Sequence, residues 1–328
     1  MKVCVVGLGA VGGLLANRLA QAGHEVSALA RGRTLERVRE SGLMLEADGV
    51  QTAARVFVHD DARALGAQEL VIIALKAPAL LQAADGLAPL IDARTIVLPA
   101  MNGVPWWFMP AAEPAQAPLA SVDPRGALLA RLPLARVLGC VVHLTCSSPE
   151  PGLVRHGFGW RLIVGEPGGG VSARVGAVCA VLQGAGFTAE ASDNVRRDVW
   201  YKLWGNMTMN PVSALTGALT DAIADDPLVR GFILRCMAEA AEIGARIGCP
   251  IAESGEARIA VARELGGFRT SMLQDTAASR PLELDALVAS VHEIGARVGA
   301  PTPNIGALLG LARLMARTRG LYPAAALS

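Results

Sequence analysis

Three polar residues recur at every fourth position of an apolar run: Lys202, Asn206 and Asn210, within Asp198-Val199-Trp200-Tyr201-Lys202-Leu203-Trp204-Gly205-Asn206-Met207-Thr208-Met209-Asn210-Pro211. On an α-helix this i, i+4, i+8 spacing sets one ammonium and two amides on a single face. Trp200, Leu203, Trp204 and Met207 argue for burial, and polar groups in such company need partners. A partly desolvated lysine has a lowered pKa and becomes a better general acid near neutral pH. The plainer alternative is a solvated helix face.

The second chemistry-bearing stretch is N-terminal. Val3-Cys4-Val5-Val6 is a buried-type strand that runs into Gly7-Leu8-Gly9-Ala10-Val11-Gly12 and then an apolar helix reaching Ala22. In this G-x-G-x-x-G context Gly7 allows a tight turn, Gly9 lets the backbone approach a pyrophosphate, and Gly12 lets helix and strand pack closely. The helix N-terminus then offers free N–H groups and the positive end of its dipole to the phosphates. A purely structural glycine turn is the bland alternative. The next strand, Val26 to Ala30, ends in Arg31-Gly32-Arg33, where an NAD-specific site usually carries an acidic residue for the ribose 2′-hydroxyl. A basic residue there suits a 2′-phosphate, so the expected cofactor is NADP(H). Two later strand ends, at Lys76 and at Asn102-Gly103, point to the same crevice and are read as cofactor or substrate contacts.

These residues need elements to hold them. Short β-branched runs at 3–6, 26–30, 70–75 and 95–98 alternate with helix-like segments, which implies parallel βαβ units in a Rossmann-type doubly wound sheet. Residues 105–133 hold six prolines and read as a long connection with one short helix, Arg125 to Arg131. Strand text returns at 137–144, 152–155 and 161–165, as plausible antiparallel additions to the sheet. After about Asp193 only helical periodicity remains, at 225–247, 254–265, 283–298 and 302–317. The expected organisation is a dinucleotide-binding domain over 1–192 and an all-helical substrate and catalytic domain over 193–328.

Composition excludes several classes. With 328 residues, 52% hydrophobic and 18% charged, the chain can bury substantial cores and is long enough for two domains. Thirty basic and 29 acidic residues leave a net charge of +1 with no long basic block, which argues against nucleic acid. The six cysteines, at 4, 140, 146, 179, 236 and 249, include no C-x-x-C pair, so neither a zinc site nor a disulfide scaffold is expected, and no metal. They read as reduced thiols in cytoplasm. The apolar stretch after Lys2 superficially resembles a secretion signal, but Gly7, Gly9, Gly12 and Gly13 interrupt it. Other long apolar stretches are broken by Gly, Pro or charge, so no membrane span is expected.

Taken in order, the glycine fingerprint, Arg31, Leu75-Lys76, Asn102-Gly103, the Lys202 to Pro211 segment and Ser271-Met272-Leu273-Gln274-Asp275 followed by Glu283 resemble the ketopantoate reductase (2-dehydropantoate 2-reductase) family over nearly the whole length. The resemblance implies an NADPH-dependent reductase that converts ketopantoate to pantoate on the way to pantothenate. It implies that Lys202 is the catalytic lysine and that Glu283 completes the active site. Asn206, Asn210 and Ser271 then match substrate-binding positions, and Asn102 and Lys76 match positions lining the nicotinamide end. By themselves Ser271 and Glu283 would be an ordinary helix serine and a surface glutamate. Two departures bear on the substrate: Met101 stands where glutamine often precedes Asn-Gly, and Trp106-Trp107-Phe108 either reshapes the pocket or packs the long connection. A reductase of another 2-oxo acid, or a non-catalytic NADP(H)-binding regulatory protein, are the alternatives. Apolar text from Asn304 to Met315 is either core or the interface of a homodimer.

Overall fold

The computed structural model describes residues 1–109, 117–264 and 266–323. The chain forms two compact units, one of Met1–Pro118 with Arg125–Asp198 and one of Leu119–Pro124 with Val199–Ser328.

The first unit is α/β. Its elements are β1 (Lys2–Val6), α1 (Ala10–Gln21), β2 (Glu25–Leu29), α2 (Gly32–Ser41), β3 (Leu43–Ala47), β4 (Val50–Ala54), β5 (Phe57–His59), β6 (Leu70–Ile73), α3 (Ala77–Ala83), β7 (Ile96–Pro99), α4 (Ala127–Arg131), β8 (Gly139–Glu150), β9 (Leu153–Gly165), α5 (Ala173–Gly184) and β10 (Thr188–Ser192). Five strands form a parallel sheet in the order β5-β2-β1-β6-β7. Chain order reverses between β1 and β6, so the ligand crevice of such a sheet lies beyond the carboxyl ends of those two strands. Buried Val3, Val5, Leu70 and Ile72 fill its centre.

The later strands, expected as antiparallel additions to this sheet, do not extend it. They build a second one, β10-β9-β3-β4, with β8 antiparallel on β9. Residues 152–155 and 161–165 are not two strands but parts of the single strand β9. Glycine makes the continuity possible: a Cβ at Gly157 would stand 2.6 Å from Thr145 Oγ1, and Gly159 has φ +78°. The ladder slips its register opposite these positions, between His143 and Cys146. Helix α1 touches strands of both sheets. Its Gly13 abuts β9, where a Cβ would meet Val154 at 2.5 Å.

Of the proline-rich connection, residues 110–116 lie outside the described residues. The aromatics before them pack it down: Trp106, Trp107 and Phe108 are buried. Trp106 donates to the Leu132 carbonyl at 3.3 Å, and Arg196 donates to the Phe108 carbonyl at 2.7 Å. Gly139 leaves room for Trp107, whose ring edge would lie 2.6 Å from a Cβ there. The aromatic cluster therefore packs the connection against the start of β8.

The described part of the second unit is helical: α6 (Val195–Thr216, continuing from the first unit), α7 (Thr220–Asp225), α8 (Pro227–Arg246), α9 (Gly255–Glu264), α10 (Ser271–Ala277), α11 (Ser290–Arg297) and α12 (Pro303–Thr318). The helix expected from 225 starts at Pro227, because Asp226 caps it by accepting from Leu228 and Val229 N–H at 3.0 and 2.9 Å. Position 265, the expected end of the next helix, lies outside the described residues. A π-helical turn, Asp285–Ala289, leads into α11. Within the connection, Ala120 and Ser121 N–H donate to the Glu293 carboxylate at 2.8 and 2.9 Å, which ties Leu119–Pro124 to the helical unit.

Two indoles fix the roll of α6. Trp200 donates to the Ala240 carbonyl at 3.1 Å and Trp204 to the Met237 carbonyl at 2.8 Å, both on α8. Trp204→Phe keeps most of the apolar area but removes one buried hydrogen bond and leaves a void. We expect a loss on the order of 2 kcal/mol, read as a lower urea midpoint. An unchanged midpoint would show that the indole N–H does not hold the helix.

Candidate active site

In the first unit the fingerprint forms a turn with little spare room. Gly7 has φ +94°, and a Cβ there would stand 2.6 Å from Leu75 Cδ2 and 3.1 Å from the Ala74 carbonyl oxygen. A Cβ at Gly12 would overlap the Gly7 carbonyl oxygen outright and meet Ala74 Cβ at 2.9 Å. Helix α1 thus starts hard against the ends of β1 and β6. Gly9 differs: no heavy atom lies within 4 Å of where its Cβ would stand, and it faces open space. It is the N-cap of α1 and has no side-chain cap. Leu8 is buried, whereas Ala10 and Val11 are half-buried. An anionic pyrophosphate fits this cradle, because the open space lies over the uncapped end of a helix.

Three further first-unit residues line the carboxyl edge of the same sheet. Arg31 follows β2, is exposed and is the N-cap of α2. Lys76 follows β6 and is the half-buried N-cap of α3, because the strand ends at Ile73 and the chain turns at Ala74 and Leu75. Asn102 is half-buried in the bend after β7, next to Gly103 with φ +83°. A cavity of about 530 Å³ in this unit is lined by Trp107, Asn194 and Arg196 among others, and by none of the fingerprint residues, so it is separate from the cofactor cradle.

In the second unit Lys202, Asn206 and Asn210 all lie on α6. At 100° per residue they fall within about 80° of one another, on the side opposite Trp200 and Trp204. Lys202 and Asn206 are half-buried and Asn210 is buried. Among the described residues neither Asn206 nor Asn210 has a side-chain hydrogen-bond partner. Pro211 follows directly; lacking an N–H, it leaves the Met207 carbonyl without its helical donor. Ser271 is exposed at the first position of α10, behind the capping Thr270. Glu283 is half-buried just before the π-helical turn, and its carbonyl accepts from Leu287 N–H at 3.2 Å.

Two residues beside α6 escape a reading of the sequence. Tyr201 donates its hydroxyl to Glu253, and Arg258 of α9 stacks over the Tyr201 ring at 5.1 Å. Burial, followed by the bond to Glu253, raises the Tyr201 pKa above its ordinary value, so the phenol stays a donor. In sequence, Arg258 is one of four charged residues in a ten-residue helix, with nothing to mark it off from a solvated one.

Family models cover almost all of the chain: ketopantoate reductase PanE/ApbA matches residues 3–169, and its C-terminal counterpart matches 194–316. The chain belongs to the ketopantoate reductase family. A 2-dehydropantoate 2-reductase from Mesorhizobium japonicum is 43% identical over 98% of this chain and 100% of its own. A solved structure from Ralstonia solanacearum MolK2, assigned to the ketopantoate reductases, shares 57% identity with a TM-score of 0.94, over 98% of this chain and 99% of that one. A D-mandelate dehydrogenase structure with NADH and anilino(oxo)acetate has a TM-score of 0.85 at 20% identity, over 98% of this chain and 100% of its own, a likeness of fold alone. Among the described residues no helix is long and apolar enough to cross a membrane, and no cluster of His, Cys, Asp and Glu could hold a metal ion.

Two glycine substitutions separate fold from binding. At Gly12 an added methyl meets backbone, so Gly12→Ala should cost about 1–3 kcal/mol and lower the thermal midpoint. At Gly9 it meets only the space a ligand would take, so Gly9→Ala should keep the midpoint while NADPH affinity falls by roughly tenfold or more. Equal midpoints, or undiminished affinity in Gly9→Ala, would contradict this division of roles.

Proposed function

We propose that the chain reduces 2-dehydropantoate (ketopantoate) to pantoate with NADPH, as an NADP-dependent oxidoreductase of pantothenate biosynthesis. The observation that carries this is the row on α6, where Lys202 shares a face with two amides that have no hydrogen-bond partner among the described residues. Such a row suits an oxygen-rich substrate that needs a proton. Family membership narrows that substrate from small 2-oxo acids to ketopantoate. On this reading residues 1–192 bind the cofactor and 193–328 hold and protonate the substrate.

The turn Gly7–Gly12 and the end of α1 hold the pyrophosphate, Arg31 the 2′-phosphate, and Lys76 and Asn102 line the nicotinamide end. Bound NADPH supplies a hydride to C2. As that carbon is reduced, negative charge builds on the carbonyl oxygen, where Lys202 stabilises it and then delivers a proton. Asn206, Asn210 and Ser271 fix the acid, and Glu283 completes the catalytic set. The balanced charge speaks against a nucleic-acid partner, and six free cysteines, five of them buried, fit the cytoplasm. Leu311 and Leu314, 60% and 62% exposed on one side of α12, fit a homodimer contact.

Lys202→Ala should lower kcat by at least about a hundredfold while NADPH affinity stays near normal. A variant that kept most of its kcat would remove Lys202 from the role of general acid. For the cofactor, Arg31→Ala should weaken NADPH by about tenfold and leave NADH nearly unchanged; equal losses for both would count against a 2′-phosphate contact.

A further inference from the structure

The Arg258 guanidinium lies along the flank of α6. Its Nε and Nη2 would stand 3.4 and 3.5 Å from a Cβ on Gly205, and its Cζ is 5.1 Å from the centre of the Tyr201 ring. Nε is buried and has no hydrogen-bond partner. Among the described residues the whole guanidinium forms neither a hydrogen bond nor an ion pair. Several arginines of the helical unit are paired, among them Arg246 with Glu242 at 2.5 Å, Arg263 with Asp225 at 2.8 Å and Arg297 with Glu293 at 2.6 Å. The carboxylate of Glu253, which shares the Tyr201 side chain with Arg258, accepts the Tyr201 hydroxyl instead.

A guanidinium carries five N–H donors, and in half-buried Arg258 the one on Nε is cut off from water without an acceptor, which is costly. Its position says what would relieve that cost. On α6, Gly205 and Tyr201 lie about 60° and 100° to one side of Lys202. Glycine at 205 lets the planar group lie against the helix backbone, and the Tyr201 ring, tethered through Glu253, supports its face. The cation is thus held next to Lys202, on the flank away from Asn206 and Asn210. A 2-oxo acid has a carboxylate on the carbon next to the carbonyl that Lys202 protonates. An arginine fork matches a carboxylate in shape and charge, as an ammonium does not.

We propose that Arg258 binds the carboxylate of the 2-oxo acid and makes the site selective for a charged substrate over a neutral one. This rests on the reductase reading above. With Arg258 on the carboxylate and Lys202 on the carbonyl oxygen, the acid is held at both ends of its C1–C2 bond.

The test compares wild type, Arg258→Gln and Arg258→Lys in three measurements. These are Kd for 2-dehydropantoate by calorimetry, KM and kcat for 2-dehydropantoate and its neutral amide, and Kd for NADPH. In Arg258→Gln we expect Kd and KM for the acid to rise roughly 10- to 100-fold, with a smaller change in kcat and an unchanged NADPH Kd. The preference for acid over amide should fall by the same factor. Arg258→Lys, which keeps the charge without the fork, should lie between, and it carries the test if the glutamine variant does not fold. Wild-type Kd, KM and acid-to-amide preference in a folded variant would overturn the proposal while leaving the reductase reading intact. A wild-type chain that neither binds nor reduces any 2-oxo acid would overturn both.

Discussion

The chemistry of the helical unit depends on how α6 is rolled about its axis, and two indole N–H groups set that roll. Trp200 and Trp204 reach the carbonyls of Ala240 and Met237, one turn apart on α8. Gly244 takes part in the same contact, since a Cβ there would collide with Trp200 Nε1. With the tryptophans bound to α8, the opposite side of α6 is left for Lys202, Asn206 and Asn210. A rotation of α6 by one residue, about 100°, would bury the lysine and expose an indole. A large buried aromatic with a donor at its edge is well suited to prevent it, because both the packing and the hydrogen bond would be lost together.

A comparable constraint governs the first unit. There it is the absence of side chains that sets the geometry: Gly7 and Gly12 bring the first turn of α1 against β1 and β6, and Gly13 brings its next turn against β9. One helix is thereby fixed between two sheets. Buried Asn17 adds a polar tie across the same interface, donating to the Leu43 carbonyl at 2.7 Å. The consequence for the proposed function is that the uncapped end of α1 is held at the switch point of the parallel sheet, where backbone N–H groups rather than side chains would meet a pyrophosphate.

What the sequence makes legible follows from which interactions are local. β1, β2, β6 and β7 are parallel strands buried beyond their first residues, so they read as mostly apolar runs, and the row on α6 follows from periodicity alone. The second sheet is harder to read, because its strands are polar on one side and pair at long range. One signal is present for part of it. Asp48 and Gly49, with φ of 51° and 75°, form the two-residue turn of the β3–β4 hairpin, but Glu46, Gln51 and Thr52 dilute the alternation around them. Strand β9 reads in halves because glycines at 157 and 159 look like punctuation until the bulged ladder opposite them is seen. Arg258 is illegible for another reason. What marks it is the lack of partners, which only a three-dimensional structure reveals. Ser271 and Glu283, set in no periodic pattern, are legible by family resemblance and not from their surroundings.

A D-mandelate dehydrogenase has the same fold at 20% identity over 98% of this chain, so the fold by itself does not choose the substrate. Which acid is reduced is therefore the decisive question. The most direct measurement is kcat/KM for NADPH oxidation across a panel of 2-oxo acids, with product recovered from deuteride-labelled cofactor. We expect 2-dehydropantoate to have the highest value and the pantoate formed to carry one deuterium at C2. Strong turnover of another acid beside inactivity on 2-dehydropantoate would contradict this.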